Sequence, residues 1–255
     1  MIRAVAIIVP ARNEEALIGR CLSAIYAART RALDVDAIEP VRIDIVVVAD
    51  ACTDETAAIA RSVAGVKVIE IDAGAVGSAR ATGTLVALDS LCPQDEEFGT
   101  GYDADDVWLA HTDADSVVPP NWVVEQLALA SRGVDLVLGT VRPDLRDLSP
   151  AHAQAWHENR HPAPARGHIY GANLGIRASH YLRAGGFAPL AEHEDVDLVD
   201  RARLAGSSTF ATDIAEVMTS GRHHGRTPGG FARYLRVDLL ARAVAVGPAP
   251  DAVSP

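Results

Sequence analysis

A chain of 255 residues with 49% hydrophobic and 22% charged residues carries enough apolar content for the packed core of one α/β domain, which excludes general disorder. Its 34 acidic against 23 basic residues give a formal charge of −11, which excludes a role driven by counterion release from nucleic acid. Cys21, Cys52 and Cys92 lie too far apart for a disulfide framework or a thiolate metal site, so a reducing, cytoplasmic home is expected.

Residues 1–10 are apolar but too short to span a bilayer, and they read as a buried first strand over 3–9 rather than a signal peptide. Asn13 is the expected cap of a helix whose first turn carries Glu14 and Glu15. Residues 41–49 form a near-continuous apolar run, the mark of a parallel strand covered on both faces. Asp54 then caps a helix to about residue 64, 66–71 is a third strand, and 77–91 is helical. A fourth strand over 107–112, a helix over 120–131 and a fifth strand over 134–140 complete the alternation, which means βαβ units and a parallel sheet. The rhythm then fades. Residues 144–166 read as one helix and an irregular crossing, followed by a helix near 195–205, a short strand near 214–219 and a closing helix near 231–246. The Pro- and Ala-rich tail, 247–255, is expected to be disordered. Lys67 is the only lysine, and abundant Ala and Arg suggest a high-GC bacterial source.

Ligands of an open parallel sheet sit outside the carboxyl ends of its strands. Strand one ends in Pro10-Ala-Arg-Asn13-Glu14, strand two in Asp50-Ala-Cys-Thr-Asp54 and strand four in His111-Thr-Asp113-Ala-Asp115. A single Asp after a strand is usually a cap, but three acidic ends on one edge point to a site. Carboxylates at i and i+2 can hold one hard divalent cation, which in turn offsets a diphosphate. Asp103-Ala-Asp105-Asp106 precedes strand four, so it belongs to the opposite edge and reads as a solvated loop.

With these ends, Gly77-Ser-Ala-Arg80, Gly171-Ala-Asn173-Leu-Gly-Ile-Arg177, Gly185-Gly-Phe187 and Glu194-Asp195-Val-Asp197-Leu make seven short motifs over about residues 3–225. In this order they resemble family-2 glycosyltransferases of GT-A fold. The resemblance implies one mostly parallel sheet flanked by helices, Rossmann-like in its N-terminal half. Residues 1–246 would form that domain, with a nucleotide-sugar half to about 140 and an acceptor half from about 141. It also implies metal-dependent, inverting transfer of a sugar from a nucleotide diphosphate to an acceptor hydroxyl. Pro10 and Glu14 would line the nucleoside pocket, Asp50 would accept from the base, and Arg80 would contact base or diphosphate. Asp113 would hold the ribose, and Asp115 would ligate Mn²⁺ or Mg²⁺. Asp195 would be the base that deprotonates the acceptor, with Glu194 as the fallback. A UDP-sugar is the first-choice donor, although Ala49, Ala51-Cys52 and Ala81 depart from the family's usual Asp-Asp-Gly-Ser and Arg-Asn patterns.

Arg222-His223-His224-Gly-Arg226 could reach a diphosphate, with His223 as a further metal ligand or, equally, as part of a basic surface loop. Asn173 could contact donor sugar or acceptor, or cap a buried turn. A rival enzyme class is raised by His157-Glu158-Asn-Arg-His161, which fits the His-Glu-x-x-His pattern of zinc hydrolases. Pro162 and Pro164 would end that helix at once, and His168 is one residue late for the extended pattern. A third class, a non-catalytic nucleotide-sugar binding protein, is disfavoured by the retention of both Asp115 and Asp195. Arg233, Arg236 and Arg242 among Leu and Val in the closing helix leave peripheral membrane contact as a second reading beside core packing.

Overall fold

Why the strand ends meet is set by the sheet. The structure, a computed structural model, describes residues 1–34, 41–93, 101–159, 168–223, 225 and 230–240. Strand β1 (Ala4–Ala11) lies between β2 (Arg42–Asp50) and β4 (Val107–His111), parallel to both, with β3 (Val66–Ile71) parallel to β2. Residues 4–9 of β1 are fully buried, because both faces of a central parallel strand are covered. The crossover helices are α1 (Ile18–Leu33), α2 (Thr56–Ser62) and α3 (Val76–Leu91). Helix α3 lies against β1 and β2 at Gly83, where a Cβ would come within 2.8 Å of Ile8 and 2.9 Å of Val48. A glycine there lets the helix approach the sheet.

Beyond β4 the sheet continues through β7 (Leu174–Arg177), β6 (Leu136–Pro143), β8 (Thr209–Thr219) and β5 (Ser116–Val117) in the order β3-β2-β1-β4-β7-β6-β8-β5. Strand β7 runs antiparallel to both β4 and β6, and β5 antiparallel to β8. Helices α4 (Trp122–Ser131), α6 (Ala178–Arg183) and α7 (Glu194–Leu204) complete this part of the chain. The main core runs through β1, β2, β4, β6, β7, α3 and α7, and each fully buried Ile or Leu in it contributes about 1.5–3 kcal/mol.

The chain divides into two compact units, Met1–Arg142 with Pro164–Thr219, and Pro143–Ala163 with Ser220–Pro255. This division does not follow the halves drawn at residues 140 and 141. In the second unit, α5 (Pro150–Asn159) buries Ala155 with Leu235 and Leu239, and Trp156 meets Phe231 edge-on at 6.1 Å. The expected closing helix is α8 (Phe231–Arg233) followed by a π-helical stretch, Tyr234–Asp238; Arg242 and the expected disordered tail lie outside the described residues. No helix among the described residues is long and apolar enough to cross a membrane.

Two expectations change. Asn13 does not cap α1: it sits at φ 52° and its side-chain oxygen accepts from the Thr53 amide at 2.7 Å. The helix starts instead at Ile18, whose amide donates to the Glu14 carbonyl. Strand β8 is eleven residues long rather than six. The four-residue β7 and helix α6 were unforeseen.

Candidate active site

The first two strand ends are stitched together by their own loops. Asp50, 4% exposed, accepts from the amides of Ala73 (2.8 Å) and Gly74 (2.9 Å) on Oδ1 and of Ala75 (3.0 Å) on Oδ2. These bonds hold the turn between β3 and α3. Glu14, buried, donates its amide to Thr56 Oγ1 at 2.7 Å, and Asp54 accepts from both the amide and hydroxyl of Thr56. Asp54 was expected to cap α2, but the residue before the helix is Glu55, and Asp54 instead ties down Thr56 at its first position. Pro10 is half-buried, one residue before the end of β1.

Backbone strain marks the same place. Among the described residues, Asn13 (φ 52°), Ala51 (φ 50°) and His193 (φ 63°) are the non-glycine residues at positive φ. They follow β1, follow β2 and precede Glu194. For alanine the left-handed region costs roughly 1–2 kcal/mol, and such strain concentrates at functional sites.

The third strand end supplies the candidate metal ligand. Asp115 Oδ1 accepts from Ser116 Oγ at 3.3 Å and from Thr219 Oγ1 at 3.2 Å, which orients the carboxylate from β5 and β8. Asp113, two residues earlier, is held by Arg80 Nη2 at 2.5 Å. Among the described residues no group of three or more His, Cys, Asp and Glu is arranged to hold a metal ion. Asp105 lies at the other end of β4, in a turn where its amide donates to Asp103.

Arg80, expected at the base or diphosphate, lies inside the core. It is 1% exposed, and its Nε donates to Glu194 Oε1 at 3.0 Å while Nη2 holds Asp113. Burial opposes its charge, but Asp113, Glu194 and Asp195 outweigh that and raise its pKa. Burial also raises the Glu194 carboxyl despite Arg80. Asp195 is more open: Oδ2 accepts from the Gly171 amide at 2.7 Å and Oδ1 from the Val196 amide at 2.8 Å. Both acids open α7, where the helix dipole favours negative charge. Of the two, Glu194 is ion-paired with Arg80, and among the described residues Asp195 has no arginine in such a pair.

Asn173 is consumed internally. Its side chain accepts from Trp122 Nε1 at 2.8 Å and donates to the carbonyls of Thr140 and Ala215 at 2.9 Å each. A Cβ on Gly139 would lie 2.2 Å from it. These bonds fix a buried turn and the strands beside it, the second of the two roles expected for this residue.

His111, the last residue of β4, lies fully buried against Phe187, ring centroids 4.9 Å apart. Burial and then Arg80 push its pKa well below the ordinary 6.5. The folded state thus resists a proton that the unfolded chain accepts, so stability is complete above that ordinary value and falls as pH drops below it. His111→Phe keeps the ring contact and removes the titration. Urea midpoints at about pH 7 and 5 should differ less in this variant than in the wild type; equal losses would show that His111 does not stay neutral.

The second unit holds the remaining expectations. The His223 ring lies 4.4 Å from that of His152. His157 and Glu158 are on α5, where Glu158 accepts from Gln154 at 2.8 Å; His161, His224 and Arg226 lie outside the described residues.

Comparison with known proteins agrees with this geometry. Residues 6–182 match the family model described as glycosyl transferase family 2. The mannosyltransferase PcManGT from Pyrobaculum calidifontis, solved with GDP-Man and Mn²⁺, is 21% identical with TM-score 0.62, over 98% of this chain and 66% of that one. Residues 1–349 of S. aureus TarS, solved with UDP-GlcNAc, are 17% identical with TM-score 0.61, over 91% and 62%. Glucosyl-3-phosphoglycerate synthase from Mycobacterium tuberculosis, solved with Mn²⁺, UDP and phosphoglyceric acid, is 17% identical with TM-score 0.55, over 94% and 78%. This chain therefore spans less than two thirds of the TarS fragment. Likenesses at this identity establish the GT-A fold. Among curated protein sequences no match is found.

Proposed function

Because the chain belongs to glycosyl transferase family 2, we propose that it moves a sugar from a nucleotide diphosphate donor to an acceptor hydroxyl, with inversion and with Mn²⁺ or Mg²⁺. The observation that carries this reading is the meeting of strained loops and carboxylates: Asn13, Ala51 and His193 at positive φ beside Glu14, Asp50 and Glu194. A divalent ion held by Asp115 would act as Lewis acid on the leaving diphosphate. The metal assignment rests on Asp115 alone.

This chain's own groups do the rest. Pro10, Glu14 and Asp50 shape the nucleoside pocket, and Asp113 holds the ribose side. Asp195 takes the proton from the acceptor hydroxyl as that oxygen attacks the anomeric carbon and the bond to the diphosphate breaks. One displacement from the face opposite the leaving group inverts the centre. The Gly171 amide keeps Oδ2 of Asp195 oriented, leaving its remaining lone pairs for the proton. Complexes of the relatives with UDP-GlcNAc, UDP and GDP-Man support both uridine and guanosine donors, with UDP-sugars our first choice. The three unpaired cysteines support a cytoplasmic setting.

A thermal-shift screen of nucleoside diphosphates and their sugars, with Mn²⁺ and with chelator, tests the proposal. A donor present at 100 times its Kd stabilises the fold by about 2.7 kcal/mol, enough for a shift of several degrees. One nucleotide series should raise the melting temperature only with metal. No shift by any of them would contradict the reading, and stoichiometric zinc lost in His157→Ala would favour the hydrolase class.

A further inference from the structure

Arg80 sits between the two sides of the proposed reaction. Its Nη2 holds Asp113, two residues before Asp115, and its Nε holds Glu194, one residue before Asp195. A planar guanidinium grips two carboxylates at a fixed spacing, which a lysine ammonium cannot reproduce. The grip is covered on its other sides. A Cβ on Gly171 would fall 2.5 Å from Nη2 and 3.1 Å from Cζ, and the Phe187 ring centroid is 5.9 Å from Cζ. Nη1 is sealed from solvent and has no hydrogen-bond partner among the described residues, so a ligand would have to open the core to reach it. Gly171 works on both neighbours at once: its missing side chain admits Arg80, and its amide orients Asp195.

Resting on the transferase reading above, we propose that Arg80 is a positioning residue that fixes the strand end of Asp113–Asp115 against the helix start of Glu194–Asp195. It touches neither donor nor acceptor. Metal-bound diphosphate and acceptor base are thereby held at one separation, and Gly171 is the position that makes room for the link. Misplacement of reacting groups by about 1 Å is enough to cost 10²-fold in rate.

The test is a mutant cycle on nucleoside diphosphate release from the donor that the thermal screen selects, with melting curves to confirm folding. Arg80→Lys should lower kcat about 10²-fold with little change in donor KM. Glu194→Gln should give a smaller loss, and the double variant should be no worse than Arg80→Lys alone, because both cut one link. A rise in donor KM at unchanged kcat would mean that Arg80 contacts the donor directly. Multiplying losses would mean that Arg80 and Glu194 act separately. Either result overturns the proposal. If Arg80→Lys does not fold, Gly171→Ala replaces it in the same cycle, since its methyl presses on the guanidinium, with the same two outcomes against it. A wild-type protein that neither binds nor turns over any nucleotide sugar refutes the transferase reading instead, and the link falls with it.

Discussion

Asp195→Asn should bind donor and metal as the wild type does and yet lose transfer by about 10²–10⁴-fold, the usual contribution of a positioned general base. The amide keeps the shape of the carboxylate and can still accept from the Gly171 amide. What it loses is the capacity to take a proton. Donor binding should survive because the proposed donor contacts come from the ends of β1, β2 and β4. Glu194→Gln should be the milder change: Glu194 is buried, paired with Arg80, and its raised pKa comes from burial. If Glu194→Gln proves the more damaging of the two at unchanged stability, the base is Glu194. If Asp195→Asn abolishes donor binding in a folded protein, Asp195 belongs to the donor pocket.

Asp115→Ala should abolish metal-dependent nucleotide binding, whereas Asp105→Ala should leave it intact. The two residues lie beyond opposite ends of β4 (Val107–His111), so only one of them can share an edge with Asp50 and Glu14. The effect should be large, because a cation held by one or two carboxylates loses its main protein ligand when Asp115 is truncated. Ser116 and Thr219 would remain with no carboxylate to orient. Calorimetric titration of UDP with Mn²⁺ into each variant checks this; loss confined to Asp105→Ala would move the site to the other edge.

Much of the nucleotide half was legible because buried parallel strands declare themselves. Residues 66–71 were read with both bounds correct, and the run at 41–49 differs from β2 by one residue at each end. The acidic strand ends followed from topology alone. Strand β7 was not legible: four residues, three of them buried in succession, show no alternation, and Leu174-Gly-Ile-Arg177 stands out only as part of a motif. Asn13 misled for a physical reason. Asparagine favours both helix caps and the left-handed region, and a bond to Thr53, forty positions away, decided between them.

The roles inside the site were harder still. Arg80 and Glu194 lie 114 positions apart, and no spacing rule connects an arginine in α3 to an acid opening α7. The turn-holding role of Asp50 was hidden because nothing in the sequence reveals that three backbone amides converge on it. For Asn173 the sequence left a ligand contact and a buried turn open, because its partners are drawn from α4, β6 and β8. Gly171 did carry a signal, since a glycine opening a Gly-Ala-Asn motif calls for close approach by another group. Only the fold identifies that group as a guanidinium.

The most direct measurement of the central claim is release of nucleoside diphosphate from a panel of UDP- and GDP-sugars, with Mn²⁺ and with chelator, by wild type and Asp115→Ala. The account predicts release from one donor series by the wild type with metal, and none with chelator or in the variant. Release that survives both chelator and Asp115→Ala, or its absence with every donor although one of them binds, would contradict it.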